Sequence, residues 1–355
     1  MIKISEWNQI KSKYNNCVII LGNGASIAFD EIFAYSSLYQ VACDNKFIDK
    51  KLESLFHNFQ THDFELILYK LWQAQAIIET IGINDNKIQE YYSLCRDSLI
   101  KTIHKAHIRY DSEDDDFKIK LRKASEFLKN FHTVLSLNYD LVVYWVMHYG
   151  NVTSETAGHI FKDCFTISIS TNEFRVFEHD WEHLRSPHQN QEKSVLIFYP
   201  HGNLTLARLK DEHFHEIDLK ICSPDDEHLK SIFSKWCSGK FEPIFVAEGP
   251  SELKKARINE SSYLSDVFNC AFLDITDNLV VYGWSMRKQD QHILNKITEI
   301  QEQRKSANQG IIKNIAVSVY VNGNENEYVN HVLDALKPMD VKVDFYYACD
   351  GCWCY

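Results

Sequence analysis

Apolar residues in this chain fall into short unbroken runs, separated by longer stretches in which they recur every three or four positions. Short runs bounded by turn residues read as buried strands, and the helical spacing reads as amphipathic helix. The first run, Val18–Leu21, leads straight into Gly22-Asn23-Gly24-Ala25-Ser26. Further strand-like runs are His132–Leu137, Val195–Tyr199, Pro243–Ala247, Asn278–Tyr282, Ile315–Val321 and Val341–Tyr347, with Cys164–Ile169 as another candidate. A short polar helix is expected over residues 5–15. Helical spacing dominates residues 40–130, through Leu52, Leu55, Phe56 and Phe59, then Phe64, Ile67, Leu68 and Leu71, then Tyr91, Cys95, Leu99 and Ile103, and a final helix over Phe117–Asn130. Residues 208–240 are charged and read as partly helical, and Trp181–Gln191 reads as loop. Strands alternating with helices predict an α/β fold with a mostly parallel sheet and helices on both faces. The expected organisation is one domain over 1–355, with a helical insertion at 40–130 and variable insertions at 150–193 and 205–240.

In a parallel sheet, ligands bind beyond the carboxyl ends of the strands. The polar clusters sit at those ends: Gly22–Ser26, Asn138-Tyr139-Asp140, Pro200-His201-Gly202-Asn203, Glu248–Ser251 and Gly283-Trp284-Ser285. A glycine pair after a strand permits a tight turn and close backbone approach, and its amides suit a diphosphate. A tight strand-to-helix turn with no ligand explains Gly22 and Gly24 equally well. A dehydrogenase fingerprint would need a third glycine where Ile27 stands and an acidic residue about 20 positions on, so hydride transfer is disfavoured.

Asn138 and His201 are the candidate catalytic pair. A carboxamide can hold a water or a ribose hydroxyl, and a neutral imidazole can take a proton near pH 7. Each by itself is also an ordinary turn residue. Together they suit cleavage at the ribose carbon of NAD, a step with oxocarbenium character. Gly22, Asn23, Gly24, Ala25, Ser26, Asp140, Gly202, Gly283 and Ser285 are the candidate NAD-binding positions. Ser26 is expected to cap the following helix, and Asp140 to bind ligand or close an Asx turn. Lys254, Lys255 and Arg257 could meet phosphate but read better as a solvated helix face, and Asp290 as a residue matched to a helix dipole.

The composition narrows the classes. Acidic residues exceed basic ones by 49 to 38, for a net charge of −11, which argues against a nucleic-acid partner. No run is long enough to span a membrane. The first residues lack the apolar core of a signal peptide, and ten scattered cysteines fit a reduced cytoplasm. Cys349, Cys352 and Cys354 form a Cys-x-x-Cys-x-Cys end. It offers three zinc ligands, and one of the sixteen histidines could supply a fourth; a cysteine-rich tail with no ligand role is preferred, and no metal is expected.

The order Gly22–Ser26, Leu137–Asp140, Pro200–Gly202, Gly283–Ser285 resembles the landmarks of the SIR2-like superfamily. More closely, the chain resembles its bacterial DUF4917 group, through Leu21–Phe29, Asp63-Phe64-Glu65, Phe245–Ser251 and Val281–Met286 with Asp290-Gln291-His292. The resemblance implies a Rossmann-like NAD-binding domain with Asn138 and His201 as the catalytic pair. It implies NAD hydrolysis in anti-phage defence, in a cytoplasmic homo-oligomer with a phage-derived trigger or a defence partner protein. The four-cysteine zinc module of sirtuin deacylases has no counterpart between residues 138 and 283, so deacylation is not expected. A non-catalytic NAD or ADP-ribose sensor is the alternative from another class.

Overall fold

In the computed structural model, described residues are 3–33, 36–62, 64–83, 85–106, 115–153, 160–169, 174–187, 191–210, 216–222, 232, 234–236, 238, 241–246 and 250–355. Asp63, Glu248, Gly249 and most of the acidic run 111–116 lie outside them, as does most of 223–240.

Thirteen strands are described: β1 (Ile4–Ser5), β2 (Val18–Leu21), β3 (Thr133–Ser136), β4 (Phe161–Lys162), β5 (Phe165–Ile169), β6 (Phe174–Phe177), β7 (Val195–Phe198), β8 (Gly202–Lys210), β9 (Glu216–Ile221), β10 (Phe241–Phe245), β11 (Asn278–Tyr282), β12 (Asn314–Val319) and β13 (Lys342–Tyr347). Eight of them form one sheet in the order β1-β13-β12-β11-β2-β3-β7-β4. Every pairing in it is parallel. With the two-residue edge strands β1 and β4 set aside, the order is third, second, first, fourth, fifth, sixth. That is the order of doubly wound dinucleotide-binding folds. The expected Rossmann-like α/β architecture is therefore present. β2, β3 and β7 are buried along their whole length, which is why they read as unbroken apolar runs rather than as alternation.

Between β2 and β3 the chain makes the helical excursion expected from its spacing. The helices are Ser36–Asp44, Lys50–Asn58, Phe64–Thr80, Lys87–Ala106 and Asp115–Leu128. Asp49 caps the second of these, accepting from the Lys51 and Leu52 amides. No helix among the described residues is long and apolar enough to cross a membrane.

The sequence pattern does not predict the second sheet. Five strands in the order β10-β8-β9-β6-β5 pair antiparallel. The run expected at Pro243–Ala247 is β10, and it joins this sheet instead of the parallel one. Part of the charged stretch read as helical is β9. It buries Asp218 and Lys220, and burial of charge demands partners. Lys220 pairs with Asp163. Asp218 pairs with Arg208 at 3.1 Å and accepts from Ser261 Oγ, Ser262 Oγ and the Tyr263 amide, which fastens the sheet to helix Ser262–Cys270.

Candidate functional site

β2 and β11 are adjacent strands whose following segments leave the sheet in opposite directions, the topological switch point where α/β sheets bind ligands. The glycines there are spent first on backbone packing. A Cβ on Gly22 would lie 2.4 Å from Trp284 Cα, and one on Gly24 2.7 Å from Gly283 Cα. The Gly22 amide donates to the Tyr282 carbonyl at 2.9 Å and the Gly24 amide to the Gly283 carbonyl at 2.8 Å. Gly283 has φ +67, and its amide donates to Ser318 Oγ at 2.9 Å. The turn therefore clasps β2 to β11, whether or not a ligand sits on it.

The helix after the turn, Asn23–Ile27, starts at Gly22 with no side-chain cap. Ser26 lies inside it rather than at its cap, so the expected capping role is corrected. Its hydroxyl instead joins a buried polar cluster. Asn138 Nδ2 donates to the Gly22 carbonyl at 3.0 Å and to Ser26 Oγ at 2.9 Å. Ser26 in turn hydrogen-bonds the Asp140 carboxylate. Asp140 also accepts from the Val142 amide at 2.9 Å, which closes the Asx turn. Asn138 is 2 % exposed, and its Oδ1 is buried without a protein partner. A buried amide oxygen left unpaired costs about 1–3 kcal/mol unless a water or a ligand donates to it.

Asn203 was not singled out from the sequence. It is fully buried and clamps the β3 loop, donating from Nδ2 to the Asp140 carbonyl at 2.6 Å. Gly202, at φ +76, brings the start of β8 against β10: a Cβ there would lie 2.1 Å from the Ile244 carbonyl oxygen.

His201 is 2 % exposed. Its Nε2 lies 2.8 Å from His292 Nε2, and its ring also bonds the backbone of Leu137, the residue before Asn138. Loops after β2, β3 and β7 therefore do converge. Burial, with the nearby Lys254 charge, holds His201 well below the usual imidazole range. Burial lowers His292 to about 4, with the Asp290 charge acting against it. Ser251 Oγ stands 3.2 Å from His292 Nδ1 and accepts the His292 amide at 2.7 Å.

Two sequence expectations are overturned here. Lys254 is not on a solvated face: it is 5 % exposed and its Nζ donates to Asp290 Oδ1 at 2.8 Å. Asp290 is more than a dipole match, because Trp284 Nε1 donates to its other oxygen at 3.0 Å. Burial alone would raise the Asp290 carboxyl. The neighbouring His201, the Lys254 charge and these hydrogen bonds together outweigh it and hold the group below the usual carboxylate range. The Asp290–His292 spacing and the strand-end cluster that closes at Ser251 are the signals the sequence offers for these partners of His201; Lys254 carries none. Asn23 turns away from the cluster, its Nδ2 donating to the Phe33 carbonyl at 3.2 Å. Ser285 is exposed, and its carbonyl lies 3.2 Å from His331 Nε2.

The cysteine-rich end is packed behind the glycine turn. Trp353 Nε1 donates to the Ala25 carbonyl at 2.8 Å, and the Cys354 thiol to the Ala28 carbonyl at 3.5 Å. Burial pushes the Cys352 and Cys354 thiols up to about 12, so both are neutral thiols at pH 7. Among the described residues, no group of three or more His, Cys, Asp or Glu side chains is placed to hold a metal.

These groups give the fold an acid dependence of defined sign. Burial pushes the Asp140 carboxyl up to about 6, against the hydrogen bonds from Ser26 and Val142. Near pH 5 the folded chain thus holds a proton on Asp140 that the unfolded chain has lost. It lacks protons on His201 and His292 that the unfolded chain has gained. From these three groups the net excess on the unfolded side is one proton. They make stability fall by about 1.4 kcal/mol per pH unit on acidification near pH 5. Asp140→Asn removes the opposing proton, so the slope should steepen by about the same amount again; denaturant midpoints between pH 4.5 and 6.5 measure it. An unchanged slope would contradict the assigned protonation states.

A family model described as "Domain of unknown function (DUF4917)" matches residues 19–353, which takes in the whole cluster. No curated protein matches the chain.

Proposed function

The chain belongs to the DUF4917 family, and on that premise we propose that it hydrolyses NAD+, releasing nicotinamide from the ribose. The reading is carried by the buried Asn138 Oδ1, an acceptor with no protein partner, held against the glycine turn at the switch point of a parallel sheet. In this reading a water or ribose hydroxyl donates to Oδ1. His201 takes the proton from the attacking or activating hydroxyl, and the segments after β2 and β11 hold the diphosphate. Gly22, Asn23, Gly24, Ala25, Ser26, Asp140, Gly202, Gly283 and Ser285 are the proposed binding positions. Fixing the substrate supplies orientation, and nicotinamide departs as the oxocarbenium character develops. The order of motifs, similar to that of SIR2-like proteins, supports the same chemistry. It also extends the proposal to NAD depletion during phage infection by a cytoplasmic homo-oligomer answering to a phage-derived trigger or partner.

A second reading, binding of NAD or ADP-ribose without turnover, is favoured by one observation: His201 Nε2 is already engaged by His292. Nicotinamide release separates the two. Purified protein incubated with NAD+ is expected to release nicotinamide, and Asn138→Ala and His201→Ala should each lower the rate by about 100-fold or more. Absence of release from the wild type, with and without phage lysate, sinks the hydrolase reading. If intact NAD+ then binds stably by calorimetry, the sensor reading takes its place. Full activity in both variants would remove the two residues from their assigned roles.

A further inference from the structure

We infer that His292 is a positioning residue that governs His201: its Nε2–H occupies the Nε2 lone pair of His201 in the free protein, and a substrate hydroxyl must displace it before His201 accepts a proton. The inference rests on the reading of His201 as the base.

The hydrogen-bond chain has one consistent arrangement of protons. Two ring nitrogens 2.8 Å apart require a hydrogen on one and a lone pair on the other. The two ends of the chain together decide which. Ser251 Oγ accepts the His292 amide proton at 2.7 Å and stands 3.2 Å from His292 Nδ1, where its own O–H can donate. With Nδ1 as the acceptor, the ring hydrogen of His292 sits on Nε2. At the far end, the backbone hydrogen bond of His201 with Leu137 favours the protonated ring. It therefore runs from a ring N–H to the carbonyl, and with Nε2 engaged it falls to Nδ1. The donors run Ser251 to His292 to His201 to the Leu137 carbonyl. Both imidazoles are neutral, and neither nitrogen of His201 is free for a substrate proton.

The contact is built to part. His292 lies in the first turn of helix Gln291–Ser306 and Ser251 in the first turn of helix Ser251–Asn259. His201 is on the β7–β8 turn instead. His292 is backed by Phe268, ring centroids 6.1 Å apart, so its ring is held without depending on His201. A small shift of the two helices breaks the N–H···N bond and leaves the sheet untouched. A hydroxyl entering at His201 Nε2 replaces one hydrogen bond with another, at little net cost.

Full-length protein labelled with 15N-histidine provides the test. A through-hydrogen-bond coupling between the two Nε2 nuclei is expected in the free protein; its absence overturns the inference. His292→Phe keeps an aromatic ring against Phe268 and removes the donor. In that variant the His201 titration should move up by about one pH unit or more, while His292→Gln, which retains an N–H, should keep it near the wild-type value. No upward movement in His292→Phe overturns the inference. Where wild type releases nicotinamide, His292→Phe should do so about tenfold faster, in kcat more than in KM; a slower variant again overturns it. If His201 titrates as stated but neither protein releases nicotinamide, the pairing stands and the NAD-hydrolysis reading falls.

Discussion

Gly22→Ala is expected to cost about 3 kcal/mol of stability or more. The added Cβ would lie 2.4 Å from Trp284 Cα and 2.7 Å from the Gly283 carbonyl oxygen. Backbone cannot rotate aside as a flexible side chain does, so the ends of β2 and β11 must separate. The Gly22 amide bond to Tyr282 and the Asn138 bond to the Gly22 carbonyl lie along that seam. The variant should therefore also loosen the carboxamide proposed to hold substrate. Gly310→Ala is the control, because its nearest neighbour, Asp277 Oδ1, lies 3.8 Å from the added carbon. That change should stay within about 0.5 kcal/mol. Urea midpoints decide the matter. Equal stability in the two variants would mean that the clasp between the strands is looser than the contacts imply.

Lys254→Met is expected to cost about 2–3 kcal/mol at pH 7, somewhat below the usual loss for a broken buried ion pair because Asp290 retains some water contact. The variant strands a carboxylate whose side chain is 18 % exposed beside a lysine partner at 6 %. Most of the cost comes from the carboxylate left behind, so adding Asp290→Leu to Lys254→Met should restore much of the stability. The pH dependence follows from the sign of the shift. The Asp290 carboxyl is held below its ordinary value in the folded chain. Its contribution is present above pH 4 and is lost as pH falls through the folded value. The Lys254→Met penalty should accordingly be largest near neutrality and shrink below about pH 4. A double variant no more stable than the single one would contradict this account.

The sensor and hydrolase readings share the glycine turn, Asn138 and Asp140, and differ at His201. A sensor has no need for an imidazole that ever accepts a proton. A hydrolase needs one released from His292. The His292 variants therefore bear on the activity as well as on the arrangement of one hydrogen bond.

The parallel sheet is legible in the order of residues alone. β2, β3, β7, β11, β12 and β13 all lie within a residue or two of their expected bounds. A strand buried on both faces must be apolar at every position, and that signal is local. It also marked the strand ends where Gly22, Asn138, His201 and Gly283 stand. Helical spacing likewise revealed the excursion between β2 and β3.

The antiparallel sheet emerges only from contacts made in the folded chain. β9 carries Asp218 and Lys220 inward, and their partners Ser261 and Asp163 lie 43 and 57 residues away in the chain. A charge that is buried because it is paired looks, in one dimension, like a charge in water. Lys254 misled for the same reason, since Asp290 lies 36 residues away. His201 needed His292, 91 residues on. Ser26 moved from cap to core because Asn138 and Asp140 reach it across more than a hundred residues. Apolar burial is written into neighbouring positions, whereas polar burial depends on which distant group arrives to satisfy it.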